Sequence, residues 1–173
     1  MMKRIGLFIL CMCLAAGSVI IYHFCFVPRL AYIDIPKVFN GFNMKSEMQK
    51  KFDRTENMRK SIIDSLSMEL QVLSNRVKAH PKDPDVVNEF DRKRQYFFTM
   101  KNRAEEDNAA LSAQYDKQIL EQMSAYIMEY GKGKNYDFIY GSSGNGVLMF
   151  ANEQYNISDD IILFINDKYN GIK

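Results

Sequence analysis

Apolar residues recur at three- and four-residue steps along most of this chain, and the pattern breaks once, at His80-Pro-Lys-Asp-Pro-Asp85. Leu66, Leu70, Leu73 and Val77 precede the break; Val87, Phe90, Phe97, Ala104, Leu111 and Tyr115 follow it. Such spacing places one apolar stripe on each of two helices. It predicts a long antiparallel helical hairpin, with a first helix from about Met44 to Val77 and a second from Pro84 to about Tyr130. Pro81 cannot continue the first helix. Asp83 suits the N-cap of the second, with Pro84 at its first position and Asp85 in its first turn. Gly131-Lys-Gly133 reads as its C-terminal stop.

With Ile63 as an a position, Leu66, Leu70, Leu73 and Val77 continue a heptad seam. The same frame meets Phe52 but then puts Glu56 and Arg59 on seam positions, and Arg94 and Lys101 interrupt the second helix. The seam is therefore expected to be leaky. Ala104 and Asn108 predict looser packing and bending midway. Met44, Met48 and Phe52 form a separate stripe, read as packing on the strand region. Ile119, Met123 and Ile127 lie beyond the reach of the shorter first helix and are expected to pack elsewhere.

The flanks read differently. Leu30 to Ile35 alternates as a short strand, with Pro36 opening one or two helical turns and Asp34 as their cap. Tyr136 to Tyr140 and Val147 to Phe150 read as two strands of a hairpin joined at Gly141-Ser-Ser-Gly-Asn-Gly146. That glycine-rich loop joins strand to strand and fits no phosphate-binding pattern. Ser158-Asp-Asp160 then starts a last helix to about Tyr169. The fold class is α+β: a long antiparallel helical hairpin, a coiled-coil arm, on a small β-body. Three strands make a poor core for one chain, so copies are expected to share one.

Composition narrows the picture. The chain has 173 residues and a net charge of +2. Lys3, Arg4 and Arg29 stand in a first thirty residues without an acid, which leaves 20 bases against 21 acids beyond. Nothing there favours nucleic acid. Ile5 to Val27 is a run of 23 residues without a full charge. At about 1.5 Å per residue it spans a bilayer core. Lys3 and Arg4 would stay cytoplasmic and the rest would be exported. Two readings are open: an uncleaved anchor over residues 1–29, or a signal peptide cut near Ala15-Ala16-Gly17-Ser18. Cys11, Cys13 and Cys25 all lie in this stretch, so the exported part, residues 30–173, folds without disulfides. His80 is solitary at the hairpin turn. No residue set calls for a metal or cofactor, and no acid is framed by Ser, Cys or His in a catalytic order, so an enzyme is not expected.

Several motifs carry a resemblance. Ala31-Tyr-Ile-Asp-Ile-Pro-Lys-Val-Phe39 resembles an "I-A-Y-V-D-x-x-x-V-F" opening, and Gly133-Lys-Asn-Tyr-Asp-Phe-Ile139 a "K-G-Y-D-x-V" strand. Gly146 to Ala151 is similar to the strand that follows, and Ile157-Ser-Asp-Asp-Ile161 with Asn166 and Tyr169 to "D-I-T-x-x-V…L-N-x-x-Y". The family is that of the Skp/OmpH-like periplasmic chaperones, and the resemblance covers roughly residues 31–170. It implies a homotrimer with the β-body at 30–43 and 131–173 and the arm at about 44–130. It also implies an ATP-independent holdase that keeps unfolded outer-membrane proteins in a cavity between arms. The chain is nearly neutral beyond its first thirty residues, unlike strongly basic members.

A holdase needs adaptable apolar surface that stays exposed. Phe97, Phe98 and Met100 fall within four residues, so 100° steps turn at least one away from the partner helix. Met58 and Met68 also lie off the seam. These five are the client-binding candidates. Ile33, Ile35, Phe138, Val147 and Met149 are the candidates for a shared trimer body. The rival reading is a membrane-anchored coiled-coil scaffold or adaptor of the cell envelope, for which an unbroken seam would speak.

Overall fold

The computed structural model describes Met12, residues 27–144 and residues 148–171. In order come strand β1 (Leu30–Asp34), helix α1 (Ile35–Gly41), helix α2 (Asn43–Ala79), helix α3 (Pro84–Gly133), strand β2 (Phe138–Ser142), a 3-10 turn (Glu153–Tyr155) and helix α4 (Ser158–Tyr169). The fold class is α+β, dominated by its helices. By its contacts the chain divides into two units. One takes Met1–Val38 and Ala125–Ile165, the other Phe39–Ser124 and Asn166–Lys173.

The first unit is built on β1 and β2, which pair in parallel with Leu30 opposite Phe138 and Asp34 opposite Ser142. Parallel partners need a long crossover, and here the helical hairpin is that crossover. This corrects the strand hairpin expected over residues 136–150. Leu148, Met149 and Phe150 lie outside any strand, and Val147 lies outside the described residues. β2 takes β1 as its partner because that pairing turns Ala31 and Ile33 together with Ile139 and Gly141 to one side, where Ala31 and Ile33 are buried. Val38, Tyr130, Ile157, Ile161 and Ile165 complete this unit's core. Asp34 accepts from the Lys37 backbone N–H at 2.9 Å and caps α1. Its own N–H donates to Ser158 Oγ at 2.8 Å, which ties the strand to the start of α4.

The second unit holds the helical hairpin. Asp83 Oδ1 accepts from the backbone N–H groups of Asp85 at 3.0 Å and Val86 at 3.4 Å, as an N-cap should. α1 and α2 separate at Phe42, which is extended and buried. Asn166 clamps that break: its Oδ1 accepts from Asn43 N–H at 2.7 Å, and its Nδ2 donates to the Gly41 carbonyl at 2.9 Å. The Phe42 ring meets Tyr169 edge-on at 5.4 Å.

At its far end α3 runs through Gly131 to Gly133 rather than stopping at Tyr130. The left-handed residue that ends it is Asn135, with φ 55°. Tyr136 N–H bonds to the Gly131 carbonyl at 2.9 Å and Asn135 N–H to the Lys132 carbonyl at 3.3 Å, the pairing of a Schellman motif. Gly131 serves packing instead: a Cβ there would stand 3.2 Å from Ile139 Cδ1.

Among the described residues no helix is long and apolar enough to cross a membrane. The anchor expected at Ile5 to Val27 lies outside the described residues, apart from Met12 and Val27.

Candidate functional site

Two surfaces stand out, one in each unit. The first follows from how α2 and α3 meet. Phe52, Ile63, Leu66, Leu70 and Val77 are half-buried and Leu73 is buried, so the heptad frame on α2 holds. Glu56 is exposed, and Thr55 takes the seam position in its place. On α3, Arg94 and Lys101 are likewise exposed, while Lys93 and Met100 turn inward by one residue. Two of the four expected charged interruptions are therefore absent, at Glu56 and Lys101, and the one at Arg94 is taken over by Lys93. Arg59 remains. It donates from Nη1 to Asn108 Oδ1 across the seam, and its Nη2 stands 3.9 Å from Asp107. A charged group drawn partly out of water is stabilised by such partners. Asn108, expected to loosen the packing, is a tie.

The stripe of Met48 and Phe52 shares a groove with Tyr115 and Ile119 of α3. Both the methionine stripe and the surplus of the second helix were expected to pack elsewhere. They meet because α2 begins at Asn43 and reaches that level of α3, so Ile119 is buried.

Beyond the seam, one flank of α2 stays apolar and uncovered. Met58, Ile62, Met68 and Val72 lie 53–64% exposed. At 100° per residue these four fall on one arc, with Ser61 and Ser65 among them. The opposite arc carries Asp53, Lys60, Asp64, Gln71 and Lys78. On α3, Tyr96 and Phe98 are half exposed, with Phe98 against Phe97 edge-on at 5.5 Å. Of the five client-binding candidates, Met58, Met68 and Phe98 are thus exposed, while Phe97 and Met100 are half-buried at seam positions. Ile62, Val72 and Tyr96 were missed. Their angular place beside the seam was readable once the frame was fixed.

Lys93 Nζ reaches Glu69 at 2.7 Å, and that hydrogen bond raises the lysine pKa above its usual value. Arg76 stands 3.9 Å from Glu89. Glu69 and Arg76, the α2 members of these cross-helix pairs, fall on the same arc as the exposed apolar residues.

The second surface is the open face of the sheet in the first unit. Leu30, Tyr32, Phe138 and Tyr140 alternate onto it, and the Phe138 and Tyr140 rings stack at 6.0 Å. A hollow of about 430 Å³ beside it is lined by Val27, Leu30, Tyr32, Tyr140, Leu148 and Tyr155. Met149 and Phe150 are 87% and 85% exposed. Of the trimer-body candidates, Ile33 is buried within the chain's own unit and Ile35 is half-buried near Gly141. Phe138 and Met149 are exposed, and Val147 lies outside the described residues. Tyr130 lies beneath, its ring 5.2 Å from Phe164 and stacked on Tyr136. Burial pushes its hydroxyl pKa up, and the nearby Asp160 adds to the rise. Among the described residues no group of three or more His, Cys, Asp or Glu could hold a metal ion.

The family model of the OmpH-like outer membrane proteins matches residues 29–163. The chain belongs to the OmpH-like family. No curated protein matches the sequence. A solved structure from Caulobacter crescentus CB15, assigned as an OmpH-like outer membrane chaperone, shares the fold with a TM-score of 0.59 at 9% identity. That match covers 82% of this chain and 86% of the other. In this OmpH-like chain the matched stretch holds both surfaces: the apolar flank of the hairpin and the open face of the sheet.

Proposed function

We propose that this OmpH-like chain is an ATP-independent chaperone of the cell envelope that holds unfolded outer-membrane proteins on its helical hairpin. The Caulobacter crescentus protein with the same fold is assigned as an outer membrane chaperone. The observation that carries the reading here is the apolar flank of α2, Met58, Ile62, Met68 and Val72, uncovered on a helix that also has an apolar seam. A rod that only spaces two partners has no use for it, whereas a holdase does. Methionine suits the task because its unbranched thioether adapts to many partners.

The protein works, in this reading, as a homotrimer. Three copies cover the open sheet faces and the exposed Met149 and Phe150 with one another, and three hairpins enclose the client. Residues 1–29 tether the assembly to the inner membrane, with residues 30–173 in the periplasm. Phe98, Met58 and Met68 contact clients, with Phe97 and Met100 behind them.

The coiled-coil scaffold keeps one observation in its favour. The seam is more continuous than the sequence suggested, since Glu56 and Lys101 lie off it and Thr55 and Met100 take their places. Aggregation suppression separates the two. With one trimer per client, an outer-membrane barrel diluted from urea stays soluble, and Phe98→Ser weakens this while helicity is kept. Unchanged aggregation means a scaffold.

A further inference from the structure

We propose that Met58 and Met68 on the apolar flank of α2 form an oxidation site: a two-electron oxidant of the peroxide class converts their thioethers to sulfoxides, which strips the flank of half its apolar groups and leaves the hairpin folded. That these sulfurs react early stands on its own. That the reaction weakens client holding rests on the chaperone reading above.

Cys11, Cys13 and Cys25 are the chain's cysteines, so from residue 30 onward methionine carries all of its sulfur. An oxidant must reach the sulfur lone pair from solvent, so exposure sets the order of reaction. Met44 and Met123 are 9% and 4% exposed, and Met48 and Met100 are half-buried. Met58 and Met68 stand at 64% and 63%. Met128 of α3 is the other open methionine of the two hairpin helices. Met149 is exposed too, but the trimer proposed above covers it.

What sets Met58 and Met68 apart is their neighbours. Residues four apart on a helix are adjacent on its surface. Met58 is followed at that spacing by Ile62, and Met68 by Val72. All four are exposed on one arc, so each methionine supplies half of an apolar pair. Met128 has Ser124, Ala125, Gly131 and Lys132 three or four residues away, so a polar sulfur there removes no apolar patch.

The Sδ lone pair attacks one oxygen of hydrogen peroxide. The S–O bond forms as the O–O bond breaks, and the departing hydroxide takes up the hydroxyl proton and leaves as water. Sulfur gives up two electrons and the peroxide gains them. The product is a polar, chiral sulfoxide that loses by leaving water where the thioether gained. A sulfoxide reductase reverses the step: two thiols supply the electrons, become a disulfide, and the oxygen departs as water. The hairpin tolerates the change because Ile63, Leu66, Leu70 and Leu73 hold the seam while Met58 and Met68 turn away from it.

The test uses the full chain and graded hydrogen peroxide. Peptide mass spectrometry should find Met58, Met68 and Met128 oxidised about fivefold faster than Met44 and Met123. The oxidised chain should need about tenfold more protein to keep a urea-diluted outer-membrane barrel soluble, with helicity unchanged by circular dichroism. Methionine sulfoxide reductase with dithiothreitol should restore the untreated midpoint. Met58→Leu with Met68→Leu conserves volume and removes both sulfurs, so that chain should hold the barrel before and after peroxide. Met128→Leu should stay as sensitive as the unsubstituted chain. Met58 and Met68 reacting no faster than Met44 and Met123 overturns the inference. So does a Met58→Leu and Met68→Leu chain that loses holding on oxidation as fully as the unsubstituted one. A chain that holds the barrel untreated and holds it equally once both sulfurs are oxidised overturns the inference and leaves the chaperone reading standing. A chain that never holds it, treated or not, removes the chaperone reading and the switch with it.

Discussion

Arg59 shows how a single side chain can set the terms for a helix pair. Its side chain is 28% accessible, and its guanidinium donates to Asn108 and stands 3.9 Å from the Asp107 carboxylate. Removing one partner of such a pair leaves the other half-buried and unmet. Asn108→Leu alone should cost about 1–3 kcal/mol, read from thermal unfolding by circular dichroism. Replacing both, as Arg59→Leu with Asn108→Leu, should restore the lost stability or exceed it, because two apolar groups of similar size need no partners. What the double variant should lose is a fixed alignment of α2 on α3, seen as faster hydrogen exchange around residues 59 and 108. A double variant as unstable as Asn108→Leu would mean that the pair stabilises more than it specifies.

Among elements, α3 ends on a residue that few helices use. Asn135 takes the left-handed conformation there, which asparagine tolerates and a branched side chain does not. Asn135→Val should cost about 1–2 kcal/mol, whereas Asn135→Gly should be close to neutral, both measured by denaturant midpoint. The helices themselves were legible in the sequence. Two prolines and Asp83 mark the turn, and the 3.6-residue period marks each side. Polar residues near the seam were harder to place. Glu56, Arg94 and Lys101 sit one residue from positions that Thr55, Lys93 and Met100 occupy: on α2 the inward positions run 52, 55, 59, 63 and 66, so two steps of four fall together where a strict seven-residue count puts a three between them. The stop signal at Gly131-Lys-Gly133 placed the end of α3 within three residues, but Gly131 itself lies inside the helix, where its bareness serves Ile139, a residue of a later strand. Leu148 to Phe150 carry the composition of a strand but pair with nothing described. Local pattern reports propensity, while pairing depends on which edge is available. For the site, the exposure of Met58, Met68 and Phe98 was legible from angular position, and the notch lined by Ile62, Met100 and Ala104 was not, because it exists only where two helices leave a methyl-sized gap.

At the scale of the whole molecule, the apolar open face of the sheet, with Leu30, Phe138 and Tyr140 on it, asks for a cover. Light scattering on residues 30–173 in dilute solution should give three times the monomer mass. Met149→Asp with Phe150→Asp should shift the particle to lower mass without loss of helicity. A monomer from the unsubstituted protein would remove the basis for an enclosed client.

Arg29 at the head of β1 and Asp137 before β2 stand 108 positions apart, yet the Arg29 N–H meets the Asp137 carboxylate at 2.7 Å. Closing so large a loop is slow, whereas the helices between can form from neighbouring residues alone. As the polypeptide is synthesised amino end first, its opening strand waits, unmatched, until residues 138–142 have emerged. The strand made earliest is thus among the last elements to settle.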